Sequence, residues 1–79
     1  MSLTTERFLE QFGESVRIYR QQKGLSQEKL AELAGIDRTY VSPIELGKQN
    51  PSLEVIYKIA QVLDTPLSII IKRAEREAP

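Results

Sequence analysis

The sequence predicts an all-α domain of five helices, and three observations carry that prediction. Apolar residues recur three and four positions apart along the chain, Ser26, Asp37 and Ser52 each open such a stretch, and no alternating run of strand type occurs. Helix one is expected from about Thr5 to Lys23, burying Phe12, Val16 and Tyr19, with Phe8 and Leu9 extending that face and Gly24 stopping it. Gly13 costs roughly 1 kcal/mol against alanine inside a helix, so the stretch before it is expected as a separate or mobile turn.

Residues 25 to 48, LSQEKLAELAGIDRTYVSPIELGK, place helices two and three around a glycine turn. Ser26 and Asp37 stand where a side-chain oxygen caps the open N–H groups of a first turn. Leu25 with Leu30, and Ile36 with Val41, are five apart across those caps, the spacing of a hydrophobic staple. Leu30 and Ala34 form the stripe of helix two, Val41 and Ile44 that of helix three, and Ala31 is small where the two come closest. Gly35 supplies the positive φ of a sharp exit. Helix three is expected from Arg38 to about Leu46. GKQNPS reads as a loop, Ser52 as the cap of helix four, and Leu53, Ile56, Ile59, Ala60 and Leu63 as its core stripe. Thr65 and Pro66 open helix five, with proline at the first helical position. Leu67, Ile70 and Ile71 bury it before it runs out through KRAEREAP.

Length makes residues 1–79 one domain, its core spanning about 12–72 and its ends, 1–7 and 74–79, expected to fray. A domain of this size buries only about 60% of the surface its unfolded chain exposes, so a partner subunit would help it. Cysteine and histidine are absent, which removes disulfides, thiolate chemistry and the usual transition-metal ligands. No nucleophile–base pair, phosphate-cradling glycine loop or metal-ligand cluster is found, so neither an enzyme nor a cofactor is expected. No run approaches the roughly 18 apolar residues of a membrane span, and a soluble, unexported, cytoplasmic protein is expected. Eleven basic and eleven acidic residues sum to zero, which counts mildly against a nucleic-acid partner. Distribution counts for more. Arg17, Arg20 and Lys23 have no acid between them, Lys29, Arg38 and Lys48 lie in or beside the two-helix segment, and Glu6, Glu10, Glu14, Glu75 and Glu77 lie toward the ends, so one positive face is expected.

Two short helices around a glycine turn at this spacing are what readers of double-stranded DNA use, with the second helix in a major groove. If helix three buries Val41 and Ile44, then Arg38, Thr39, Ser42 and Pro43 share the opposite, base-reading face. Arg38 can offer two parallel donors to guanine O6 and N7, while Thr39 and Ser42 can take a base edge or a phosphate. Gln27, beside Ser26 in the first turn of helix two, places an amide and open backbone N–H groups where they can clamp a phosphate. Tyr40 lies at the flank, packing on the turn or reaching a phosphate, and Lys48, Gln49 and Asn50 extend the backbone track. Ordinary solvated polarity is the competing reading for each. Arg17 and Lys23 read most simply as solvated charges. Pro43, at the sixth helical position, loses a bond to the Thr39 carbonyl at a cost of about 3 kcal/mol. One reading is a bent helix that lets the ring touch a thymine methyl; the other is a neutral surface position.

Five helices in this order, with Gly24, Ser26, Gln27, Leu30, Ala31, Ala34, Gly35, Val41, Ile44, Glu45, Gly47, Pro51 and Leu53 where they stand, resemble the lambda-repressor-like, Xre-type helix-turn-helix family over residues 12 to 72. Within it, IDRTYVS followed by IE and a glycine is most similar to the controller proteins of restriction-modification systems, small dimeric regulators without a ligand domain. The resemblance implies that Tyr40 contacts DNA, that Gln27 holds a phosphate, and that Arg20 and Glu45 form a partly buried ion pair between helices one and three. It also implies a two-fold contact through helices four and five. Val55, Tyr57 and Ile69 leave the main apolar stripes, and with Leu67 they are the expected homodimer interface; scattered surface hydrophobes are the plainer reading.

The function this implies is a sequence-specific transcription regulator, a homodimer on a near-palindromic operator with its recognition helices about 34 to 36 Å apart. Regulation would run by concentration, with no small-molecule effector expected, and Glu28 and Glu32 could meet RNA polymerase if the protein activates. An antitoxin or phage-type repressor is the alternative within the class. A protein-interaction module that reuses the fold without DNA is the alternative outside it, favoured by the zero net charge. DNA binding must weaken steeply as salt rises, which separates the two classes.

Overall fold

The computed structural model describes residues 4–76. Five α-helices follow one another: α1 (Thr5–Gln22), α2 (Gln27–Ala34), α3 (Val41–Glu45), α4 (Leu53–Val62) and α5 (Leu67–Arg76), with a 3-10 turn, Arg38–Tyr40, leading into α3. Among the described residues there is no strand, and no helix is long and apolar enough to cross a membrane.

Local chemistry sets these boundaries. The hydroxyls of Thr4, Ser26 and Ser52 accept the backbone N–H of Arg7, Lys29 and Val55 at 3.1, 3.0 and 3.2 Å, each satisfying a donor that the helix leaves open. At the exit of α2, Gly35 takes φ 70° and the Ile36 N–H turns back to the Ala31 carbonyl at 3.1 Å. Between α4 and α5 the left-handed position is held by Asp64 at φ 53°, with the Thr65 N–H donating to the Ala60 carbonyl at 3.2 Å. Aspartate tolerates that conformation better than most side chains, but no sequence signal marks it. Helix five begins one residue later than expected: the Pro66 carbonyl accepts the Ile70 N–H at 3.3 Å, and the Thr65 hydroxyl donates to the Leu63 carbonyl at 3.0 Å rather than capping.

One core joins all five helices. Phe12, Val16, Leu30, Ala31, Val41, Ile44, Ile59, Ala60, Leu63, Ile70 and Ala74 are buried together, with Phe8, Tyr19, Leu25, Ile36 and Ile71 packed around them. Helix α1 lies mainly along α5 and α3, while α2 packs on α4. The buried Ser15 hydroxyl donates to the Ile70 carbonyl at 2.9 Å, a polar link inside the α1–α5 seam.

Three expectations are corrected here. Leu53 does not join the core stripe of α4; it is 72% exposed. The C-terminal end holds its helix further than composition suggested: α5 continues to Arg76 with Ala74 fully buried, while α1 begins at Thr5 as expected. Residues 1–3 and 77–79 of that expectation lie outside the described residues. Finally, α1 runs unbroken through Gly13. A Cβ there would lie 2.5 Å from the Glu45 carbonyl oxygen, so the glycine marks where α1 crosses the end of α3, not a weak point in the helix.

Gly13→Ala therefore separates two effects of opposite sign. Helix propensity alone would add roughly 1 kcal/mol, whereas overpacking against α3 backbone should remove about 1–3 kcal/mol net. A lowered urea midpoint is the expected result; a raised one would mean that α1 and α3 do not meet there.

Candidate nucleic-acid interface

The outward face is organised by what lies beneath it. Val41 is fully buried and Ile44 is 2% exposed, so the 3-10 turn and α3 are anchored from below. Arg38, Thr39 and Ser42 are exposed and Pro43 is half-buried. Asp37 opens this segment: its Oδ1 accepts the Thr39 N–H at 2.8 Å and the Thr39 hydroxyl at 2.6 Å. Those bonds to Thr39, side chain first and backbone second, hold the Asp37 carboxyl below its usual range and hence ionised at neutral pH.

A second layer fixes the angle of α3. Glu45 is 6% exposed, and its two oxygens accept Arg20 Nε at 2.6 Å and Arg20 Nη2 at 3.0 Å, a bidentate pair. Arg20 Nη1 also donates to the Leu25 carbonyl at 2.8 Å, and the Gln27 side-chain amide donates to Glu45 Oε1 at 3.0 Å. One carboxylate thus ties together α1, the α1–α2 turn, the start of α2 and the end of α3. Removing a single partner would strand a buried charge, at a cost of about 3–5 kcal/mol.

The charges on this side are paired locally. Arg38 Nη1 lies 3.3 Å from Glu28, and Lys29 Nζ lies 2.9 Å from Glu32. Lys23 Nζ lies 3.9 Å from Asp64, while Arg17 is held by both Glu14 and Gln21. Among the described residues, Lys48 is the one cation in or beside the two-helix segment without an acidic partner. The positive face expected here is therefore built from cations that are mostly paired. Exposed pairs of this kind are worth only about 0–1 kcal/mol, so a phosphate or a base edge can displace them cheaply.

A helix-turn-helix family model matches residues 16–70. The chain belongs to the Xre-type helix-turn-helix family. Control protein C.SmaI of Serratia marcescens is 38% identical over 60 residues, a match that covers 76% of this chain and 71% of that protein. The transcriptional regulator SinR of Bacillus licheniformis is 36% identical over 64 residues, 80% of this chain but 58% of that regulator, so the chain spans little more than half of its length. Among solved structures, the restriction-modification controller protein C.AhdI from Aeromonas hydrophila superposes with a TM-score of 0.76 at 47% identity, covering 78% of this chain and 94% of that one. The biofilm master regulator SinR, solved in complex with DNA, superposes with a TM-score of 0.72 at 38% identity over 76% of this chain and 97% of that one. The fold is thus that of a DNA-binding transcription regulator and not of an enzyme.

Within this family fold six of the expected DNA-facing residues line two open hollows. Ser26, Arg38 and Thr39 line one open hollow between α2 and the 3-10 turn, together with Glu28, Lys29 and Asp37. Tyr40, 45% exposed, shares a second hollow with Gln49 and Asn50 beside the start of α4. Gln27 has a task that sequence reasoning missed: its amide nitrogen donates to Glu45 and so braces the ion pair. Of the interface candidates, Tyr57 and Ile69 are exposed, while Val55 and Leu67 are half-buried and packed against their own core. Leu53, one helical turn before Tyr57, joins it on the surface of α4. Glu28 as the partner of Arg38 was missed because ten residues of sequence separate them.

Pro43 also changes meaning. Because the segment divides into a 3-10 turn and a separate α3 starting at Val41, Pro43 is the third residue of its helix and sits in the first turn, where a missing N–H does no harm. The cost expected of a mid-helix proline disappears. Pro43→Ala should accordingly change unfolding free energy by less than about 1 kcal/mol, not the roughly 3 kcal/mol gain that relief of a mid-helix proline would give. Chemical denaturation of the two proteins distinguishes these outcomes.

Proposed function

We propose that this chain is a sequence-specific transcription regulator of the restriction-modification controller type, acting as a homodimer on a near-palindromic operator. The observation that carries the reading is the joint outward projection of Arg38, Thr39 and Ser42 from a turn anchored by Val41 and Ile44. Relatives named as control or controller proteins support the type, and the SinR complex supports DNA as the class of partner. In this reading Arg38 exchanges Glu28 for guanine O6 and N7, Ser42 and Pro43 complete the groove-facing surface, and Ser26, Gln27, Tyr40, Lys48, Gln49 and Asn50 lie along the phosphates. The regulator works by its own concentration, and contact with RNA polymerase belongs to the same reading if it activates.

Tyr57 and Ile69 supply the two-fold contact, with Leu53 extending it and Val55 and Leu67 at its base. Exposed side chains of this size on adjacent helices of a small domain are better covered than left in water.

Footprinting on the DNA upstream of its own coding sequence should reveal a protected near-palindrome, with affinity falling steeply as salt rises. Arg38→Ala should lose about 1–3 kcal/mol and relax preference at one base pair in each half-site. Salt-independent binding, or an Arg38→Ala profile with every preference intact, would end this reading. Sedimentation at tens of micromolar should show a dimer that Tyr57→Asp converts to a folded monomer; a wild-type monomer at that concentration would remove the interface.

A further inference from the structure

The bond from Thr39 to Asp37 has a consequence for what Thr39 can recognise. At 2.6 Å it has the length of a charge-assisted O–H···O⁻ bond, and the same Asp37 oxygen is drawn toward Thr39 by the backbone N–H at 2.8 Å. A threonine hydroxyl carries one proton and two lone pairs. Here the proton is spent on Asp37, so what Thr39 turns toward solvent is acceptor only. Arg38, its neighbour, is donor only. Two adjacent side chains on the outward face therefore present opposite hydrogen-bonding polarity, in a fixed order along the chain.

Building on the DNA-binding reading above, we infer that Thr39 is a specificity residue that accepts from an exocyclic amine in the major groove, adenine N6 or cytosine N4, and makes no hydrogen bond to a base acceptor or a phosphate. Guanine O6 and N7, thymine O4 and every phosphate oxygen require a donor, which Thr39 does not have to give. The ionised Asp37 carboxylate beside it adds repulsion against phosphate. Ser42 differs: its hydroxyl is tied to no acceptor among the described residues and keeps the choice between donating and accepting. The expected half-site therefore places an amine beside the base pair that Arg38 reads.

The test uses the full chain and the duplex it selects from a random pool. Comparison of selections by wild type and Thr39→Val, which keeps side-chain shape but lacks the hydroxyl, locates the base pair that Thr39 senses. At that pair the amine is deleted, with purine in place of adenine or pyrimidin-2-one in place of cytosine, and in a separate duplex N7 is removed with a 7-deazapurine. Amine deletion should weaken wild type and Thr39→Ser about tenfold and Thr39→Val not at all, whereas the 7-deaza change should affect all three alike. Coupling of Thr39 to N7 or to thymine O4 would overturn the inference and leave the regulator reading standing. So would a Thr39→Val protein weakened equally on every sequence, as for a phosphate contact, or one unchanged everywhere, as for a cap and nothing more. A wild-type chain that selects no duplex at all overturns the DNA reading itself.

Discussion

The angle at which α3 is held against α1 and α2 depends on one buried carboxylate. Glu45 receives Arg20 through two nitrogens and Gln27 through a third, and Arg20 in turn holds the Leu25 carbonyl. A buried pair of this kind need not add net stability, since desolvation of both charges offsets much of their attraction. Its directional bonds do constrain geometry. With α3 only five residues long, packing of Val41 and Ile44 would leave its tilt loosely defined, and the fork from Arg20 supplies the missing restraint. Gly13 and Gly47 belong to the same arrangement: a side chain at either would collide with the backbone across the α1–α3 crossing.

In the proposed reading, neutral overall charge and a DNA-facing surface are compatible because the acids are placed as exchangeable partners. Glu28 on α2 faces Arg38 of the 3-10 turn and Glu32 pairs with Lys29 along α2 itself, all four largely exposed, so each pair is weak in water. A free protein so arranged carries no large positive field, which limits nonspecific attachment to phosphates. Arg20 stands apart. Its partner is buried and bidentate, and it is committed to structure, not to recognition.

The Pro43 segment illustrates how an apparent local conflict is resolved. A single helix from Arg38 to Leu46 would place proline where a backbone donor is needed. Dividing the segment into a 3-10 turn under the Asp37 cap and a new α-helix from Val41 moves Pro43 into a first turn, yet leaves Val41 and Ile44 on the inner side. The outward residues then come from two short pieces of different pitch. Arg38 and Thr39 lie on one and Ser42 and Pro43 on the other.

Number, order and class of helices, the caps at Ser26 and Ser52, the glycine exit at Gly35 and the inward pair Val41 and Ile44 were all determined by the chain itself, because each depends on residues within about five positions of one another. What the tertiary structure decided involves contacts between distant segments. Gly13 reads as a helix flaw, and α3 lies against it; Leu53 reads as core, and the orientation of α4 exposes it; Gln27 reads as a phosphate ligand, and its amide also meets Glu45 at 3.0 Å. Hydrogen-bond partners and interhelical angles are long-range quantities, and a periodic pattern of polar and apolar residues specifies which face turns inward but not what it meets there.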